Sequence, residues 1–423
     1  MLAWAASVSQ AASAHADAVQ SSQWYLDTLG VRHAWTISRG AGVVVAVIDS
    51  GVDGRIADLT GAVVGGADFS SAGSRNGQRP VEPDSRHGTN VASLISGHGH
   101  GPGHTSGILG TAPAAHLLTA SCASQTNPDG TPAAIRWAVD HGATVLNLSY
   151  TSADPGEKAA VQYAQSKDVV VVASTGDSFV TQRVGLQSPA VLPGVLAVTG
   201  IDQNLKSDPA ATIGRGTALA APFSTTPVNP DSARTKTGLA VADPRGDVDG
   251  PYQLREGTSF SAPIVAGIVA LVRAHFPHMD AANVINRLLK TAMPAGGSVP
   301  NDIYGYGVVN AYQALTEHVA PVAANPLGSL VPSGGSSPAP SGSSSASSAP
   351  RTSSPPTLPA QSAPPASSAA PVAGSGSSGL GAGGWAAIAA VIVVAAAVIG
   401  ALVGRSRRPR GTPPGYPPQR PRL

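Results

Sequence analysis

Five short, mainly apolar runs, at residues 42–48, 116–120, 144–148, 169–173 and 195–199, leave this chain few folds to choose from. Runs of this length without polar alternation suit strands buried on both faces. The segments around them carry helical spacing instead, at 87–96, 131–141, 156–167, 258–276 and 281–292. Strands alternating with helices predict an α/β fold, a mainly parallel sheet with helices on both faces. Ligands bind such sheets beyond the carboxyl ends of the strands, so chemistry is to be sought there.

The pattern stops near residue 320. Residues 321–384 are mostly Pro, Ser, Ala and Gly, with Arg351 as their one charge. Such a segment cannot bury enough apolar surface to offset its ordering entropy, and it reads as a disordered stalk. Residues 385–403 then form an apolar run of 19. As a helix this run is about 28 Å long, close to the hydrocarbon thickness of a bilayer. Trp385 stands at one edge, and Arg405, Arg407, Arg408 and Arg410 follow the other. Positive charge stays on the cytoplasmic side. The chain therefore reads as a single-pass cell-membrane protein with one C-terminal transmembrane helix in the lipid bilayer. The tail at 404–423 is then cytoplasmic and the globular part extracytoplasmic.

Residues 1–16 are small and apolar and end on Ala14-His15-Ala16, a signal-cleavage pattern without the usual positive start. Residues 17–40 form an N-terminal extension, and residues 41–320 the globular domain. Seven of the 26 basic residues lie beyond residue 320, leaving 19 in residues 1–320 against all 24 acidic residues, a net of −5. A mildly acidic body argues against a nucleic-acid partner. The single cysteine, Cys122, cannot form an intrachain disulfide, and it reads as a small buried hydrophobe.

Three segments carry chemistry. Asp49 ends the first buried run in Val45-Ala-Val-Ile-Asp49-Ser-Gly-Val-Asp53. His87 opens a helix in Asp84-Ser-Arg-His87-Gly-Thr-Asn. Ser259 opens the long apolar helix in Glu256-Gly-Thr-Ser259-Phe-Ser-Ala-Pro263. Its first turn favours a developing negative charge. Taken singly, Asp49 is also a plausible turn residue, His87 a helix-start residue and Ser259 an N-cap. Together they supply what peptide cleavage needs: a nucleophile, a base near neutral pKa and a carboxylate that holds the base's tautomer. The chain order Asp, His, Ser separates this arrangement from other triads.

On the motifs VAVIDSGVD, HGTNVA and GTSFSAP, with 107–118 and 188–200 in support, residues 24–318 resemble the subtilase family of serine peptidases. The sequence QWYLDTLGVRHAW at 23–35, with the stalk, span and short tail, resembles the mycosins, membrane-anchored subtilases of type VII secretion systems. The resemblance implies a subtilisin-like three-layer fold and a triad of Asp49, His87 and Ser259. It also implies substrate backbone pairing by Ser149, Tyr150 and Thr151, and an oxyanion hole formed by Ser259 and residue 177. Its implied partners are a protein or peptide substrate and a type VII secretion membrane complex. Residues 20–35 are expected to pack along the domain surface, with no cleaved inhibitory propeptide.

The chain departs from the family at residue 177, where an Asn normally donates to the oxyanion and this sequence has Asp177. An ionised carboxylate only accepts, whereas a protonated one has a single donor. Two outcomes stand open. Either Asp177 is neutral in a working peptidase with an acid-shifted optimum, or it is charged in a slow enzyme, a low-activity or pseudo-protease serving as a structural component of the complex. His98, His100 and His104 lie in a glycine-rich stretch that reads as a solvated loop, without a neighbouring carboxylate to complete a metal shell. Neither a metal site nor an organic cofactor is expected.

Overall fold

The apolar runs pair with one another as expected. The computed structural model describes residues 18–70, 76–78, 86–122, 130–178, 185–224, 238–244 and 251–331. The N-terminal 1–17, most of the expected stalk, the apolar run 385–403 and the basic tail 404–423 lie outside the described residues. In chain order the strands are β1 (Val44–Asp49), β2 (Val63–Asp68), β3 (His98–His100), β4 (Ser106–Leu109), β5 (His116–Ser121) and β6 (Val145–Leu148). They continue as β7 (Val170–Ser174), β8 (Leu196–Ile201), β9 (Leu219–Pro222), β10 (Leu239–Ala242) and β11 (Tyr252–Arg255). The longer helices are α1 (His87–Ser96), α2 (Gly130–Asp140), α3 (Glu157–Ser166), α4 (Thr258–His275), α5 (Ala281–Lys290) and α6 (Ala311–Thr316).

Seven strands form one sheet in the order β2-β5-β1-β6-β7-β8-β9. Every neighbouring pair in it is parallel. The five strands read from apolar runs occupy its middle, where both faces are covered and each residue of β6, β7 and β8 is buried. The two edge strands escaped the sequence pattern. β2 reads VVGGAD, with two glycines, and β9 is four residues ending in Pro222. Both features belong on an edge, where a missing donor or side chain does least harm. Helices α1 and α4 pack together, as do α2 and α3, and the sheet lies between the two pairs.

Helix α4 is apolar nearly all round, TSFSAPIVAGIVALVRAH, and fifteen of its residues are buried. A helix hydrophobic on every side belongs in a core. It touches α1, β6, β7, β8 and β9, so its first turn is fixed by the whole central sheet. Gly267 lets it close on the loop after β4. A Cβ there would stand 1.9 Å from Thr111 Oγ1, which itself donates to the Ile264 carbonyl at 3.0 Å. Gly267→Ala is therefore expected to destabilise the protein by about 1–3 kcal/mol through overpacking. A fall in the urea midpoint with unchanged slope would register it.

One boundary differs from the sequence expectation, at the far end of the body. Residues 20–35 pack along the body as expected, with Ser21, Ser22, Asp27, Thr28 and His33 exposed on the outer face and the inner face sunk deeper than composition suggests. Tyr25, Leu26, Leu29, Val31 and Ala34 are at most 1% exposed and belong to the main core. They sit on two four-residue helices, Tyr25–Thr28 and Val31–Ala34, too short to display a readable period. Gln23 locks the segment in place: its amide donates to the Leu109 carbonyl at 2.8 Å and accepts from the Leu109 N–H at 3.0 Å. At the other end, residues 321–331 of the expected stalk pack on the body. Asn283 exchanges two hydrogen bonds with Val322, at 2.8 and 3.1 Å. The Leu327 carbonyl accepts from Gly194 N at 2.9 Å, and Leu330 N donates to Gln165 Oε1 at 2.9 Å. Side-chain amides mimic strand pairing at both ends, which composition alone does not reveal.

Candidate active site

Adjacent strands deliver their carboxyl ends to one rim. Asp49 is the last residue of β1, Ser149 follows β6, and Asp177 lies three residues beyond β7. The first turns of α1 and α4 supply His87 and Ser259 to the same rim.

The three side chains converge. The Asp49 carboxylate accepts from His87 Nδ1 at 2.8 Å through Oδ2 and 3.0 Å through Oδ1. An ionised carboxylate can only accept, so the Nδ1 proton is fixed and Nε2 is left as the basic nitrogen. That Nε2 stands 2.9 Å from Ser259 Oγ. Asp49 is almost fully buried while His87 is about one-third exposed. Burial pulls the imidazole pKa down. The charge and hydrogen bond of Asp49, helped by the charge of Asp177, oppose it, Arg255 works with burial, and the net shift is upward.

Local sequence explains the fit. Gly88 allows α1 to meet the end of β1: a Cβ there would stand 2.3 Å from the Gly51 carbonyl oxygen and 3.2 Å from Asp49 Oδ1. The backbone N–H of Ser50 donates to Asp49 Oδ1 at 2.7 Å, and Gly88 N donates to Ser50 Oγ at 3.1 Å. Sequence reading missed this role of Ser50, which only its adjacency to Asp49 could have suggested. Gly257 has φ 141°, a region that favours glycine. A Cβ on it would meet Asp177 Oδ2 at 3.0 Å and Ser259 Oγ at 3.2 Å. Asp177 therefore lies beside Ser259; the family resemblance expects an oxyanion donor at that position.

The state of Asp177 is set by opposing effects. Burial pushes its pKa up, the Thr258 N–H and hydroxyl and the His87 charge pull it down, and Asp208 adds a push upward. The net direction is up. Its Oδ1 accepts from Thr258 N at 2.8 Å, at the start of α4. Thr258 was another residue not singled out from sequence.

The expected substrate strand lies opposite. Ser149 is buried, and its hydroxyl accepts from Asn147 Nδ2 at 2.9 Å. Thr151 faces the segment after β7: its Cγ2 would lie 3.1 Å from a Cβ on Gly176. Tyr150 turns inward toward the buried Glu157, and burial first, then that carboxyl, raises its phenol pKa. Glu157 itself is pushed up by burial against a 2.5 Å hydrogen bond from Ser188.

The histidine-rich stretch is a solvated loop only in part: residues 101–105 are exposed, but His98 and His100 belong to a strand. It forms the β3–β4 hairpin, in which His100 Nδ1 meets Asp58 Oδ1 at 2.7 Å and His98 Nε2 faces the Thr60 carbonyl at 3.0 Å. The carboxylate comes from 42 residues away, which is why local sequence hid it. Among the described residues no group of three or more His, Cys, Asp or Glu is placed to hold a metal ion.

Comparison with known proteins gives the family of this fold. Residues 40–307 match the peptidase S8 domain of the subtilase family. Mycosin-1 of Mycobacterium tuberculosis is 32% identical over 350 residues, 70% of this chain and 74% of that protein. Fervidolysin of Fervidobacterium pennivorans is 31% identical over 320 residues, and the match spans 69% of this chain but 43% of fervidolysin. Among solved structures, the serine protease MycP1, described as an essential component of the type VII (ESX-1) secretion system, superposes with a TM-score of 0.55 at 30% identity. That match covers 70% of this chain and 88% of MycP1.

Proposed function

The chain belongs to the subtilase family of serine endopeptidases, and on that premise we propose that it cleaves protein substrates with Asp49, His87 and Ser259 while tethered to a membrane beside a type VII secretion complex. The observation that carries the catalytic part is the continuous relay from Asp49 through His87 to Ser259 Oγ. In that role Ser259 attacks the scissile carbonyl as its proton passes to His87 Nε2. The imidazolium, steadied by Asp49, then gives the proton to the leaving amine, and water repeats the sequence to free the acyl product. The Ser259 backbone N–H and a protonated Asp177 would hold the oxyanion. Ser149, Tyr150 and Thr151 would pair with the substrate backbone on the acyl side. Support for the tether is the apolar run 385–403 with arginines after it. Support for the secretion context is the similarity to mycosin-1 and MycP1.

A second reading is favoured by one observation: Asp177 accepts from Thr258 N at the start of α4, and the first turn of a helix favours a negative charge. In that reading the enzyme is slow and acts mainly as a structural part of the complex. A fluorophosphonate probe applied to membranes holding the full chain discriminates. Labelling at Ser259 somewhere between about pH 4 and 8, lost in Ser259→Ala, is expected of the peptidase. Silence over that whole range would leave only the scaffold.

A further inference from the structure

Next to the triad lies a groove of about 370 Å³ lined by Arg86, His87, Asn90, Arg255, Glu256, Ser259 and Phe260. None of Ser149, Tyr150, Thr151 or Asp177 lines it. The groove therefore touches His87 and Ser259 but not the strand that would hold the acyl part of a substrate. In the reaction proposed above, the departing amine half is the part of the substrate left to occupy it. Its floor is apolar, since Phe260 is buried and its ring packs 5.3 Å from the His87 ring.

The charges in this groove are unequal in availability. Arg86 is ion-paired with the buried Asp243. Glu256 has a partner of its own. Arg255, at the end of β11, is exposed and enters no ion pair among the described residues. Its charge is nonetheless felt at the imidazole, where it acts against those of Asp49 and Asp177. A guanidinium left unneutralised, beside the general acid and over an apolar floor, is suited to a carboxylate on the departing half of the substrate.

We propose that Arg255 determines specificity on the leaving-group side, selecting substrates with Asp or Glu at the first or second residue after the scissile bond. This rests on the peptidase reading of the same site. An ion pair in a groove that is open to water discriminates modestly, about threefold to fivefold over a neutral residue, and salt weakens it.

The test uses the full chain in detergent, with active sites counted by fluorophosphonate so that rates refer to competent enzyme. A mixed peptide library is digested and the cut bonds are read by mass spectrometry. Acidic residues are expected to be enriched about threefold or more at the first two positions after the cut, less so at high salt. Arg255→Lys retains the preference, and Arg255→Glu inverts it toward Lys and Arg. Arg255→Glu also moves the acid limb of the pH profile upward, because a negative charge in place of a positive one favours the imidazolium. A library cut without charge preference after the bond, or with the same preference in Arg255→Glu, overturns the assignment while labelled Ser259 keeps the peptidase reading intact. Absence of labelling would instead remove the reading on which it rests.

Discussion

Ser259→Ala is expected to lower turnover on the order of 10⁶-fold, a magnitude measured on a subtilisin, a relative of this chain. The reason is chemical. Without Oγ no acyl-enzyme forms, and His87 has no hydroxyl to deprotonate. What remains is binding and oxyanion stabilisation, worth about 10³–10⁴ over water. The fold should hardly notice, since the half-buried Oγ makes its one hydrogen bond with His87 and such substitutions shift stability by about 0.5 kcal/mol or less. Active-site rates compared with melting curves check both halves. Residual activity above about one per cent would mean that a different group attacks.

Asp177→Asn is expected to raise turnover near neutral pH by about 10²–10³, the value of one oxyanion donor as measured on a subtilisin. The sign follows from the environment. Wild-type chemistry needs His87 neutral and Asp177 protonated at once. Ionised Asp177 offers no donor and faces a growing negative charge. Burial raises its pKa and so keeps some of it protonated, yet that fraction falls as pH rises through the shifted value. Asparagine donates at every pH, so the alkaline side of the profile widens. The acid limb moves as well. The Asp177 charge helps hold the His87 pKa up, and its removal lets the base work at lower pH. Initial rates between about pH 4 and 9 would display both changes. An unchanged profile would mean that the side chain at 177 does not meet the oxyanion.

Much of this was legible before any coordinates. The five central strands lack polar alternation because both faces are covered, so each appears as an apolar run and each was found within a residue or two at its ends. Asp49, His87 and Ser259 stand out in the sequence because each sits where an element begins or ends, within a motif. What stayed hidden depends on partners distant in sequence. β2 and β9 are edge strands with glycine or proline. The 23–35 segment owes its place to Gln23 meeting Leu109, 86 residues on. His100 found Asp58, and Arg255 mattered only once β11 was folded beside His87. Local composition carries no trace of such pairings.

The relay joins residues far apart along the chain: Asp49 to His87 spans 38 positions and His87 to Ser259 spans 172. Synthesis runs from the N-terminus, and sheets built from distant pairings assemble slowly. On the proposed reading, a half-made chain thus holds the orienting carboxylate and the base but no attacking oxygen, and it gains Ser259 only when most of the globular body has been synthesised.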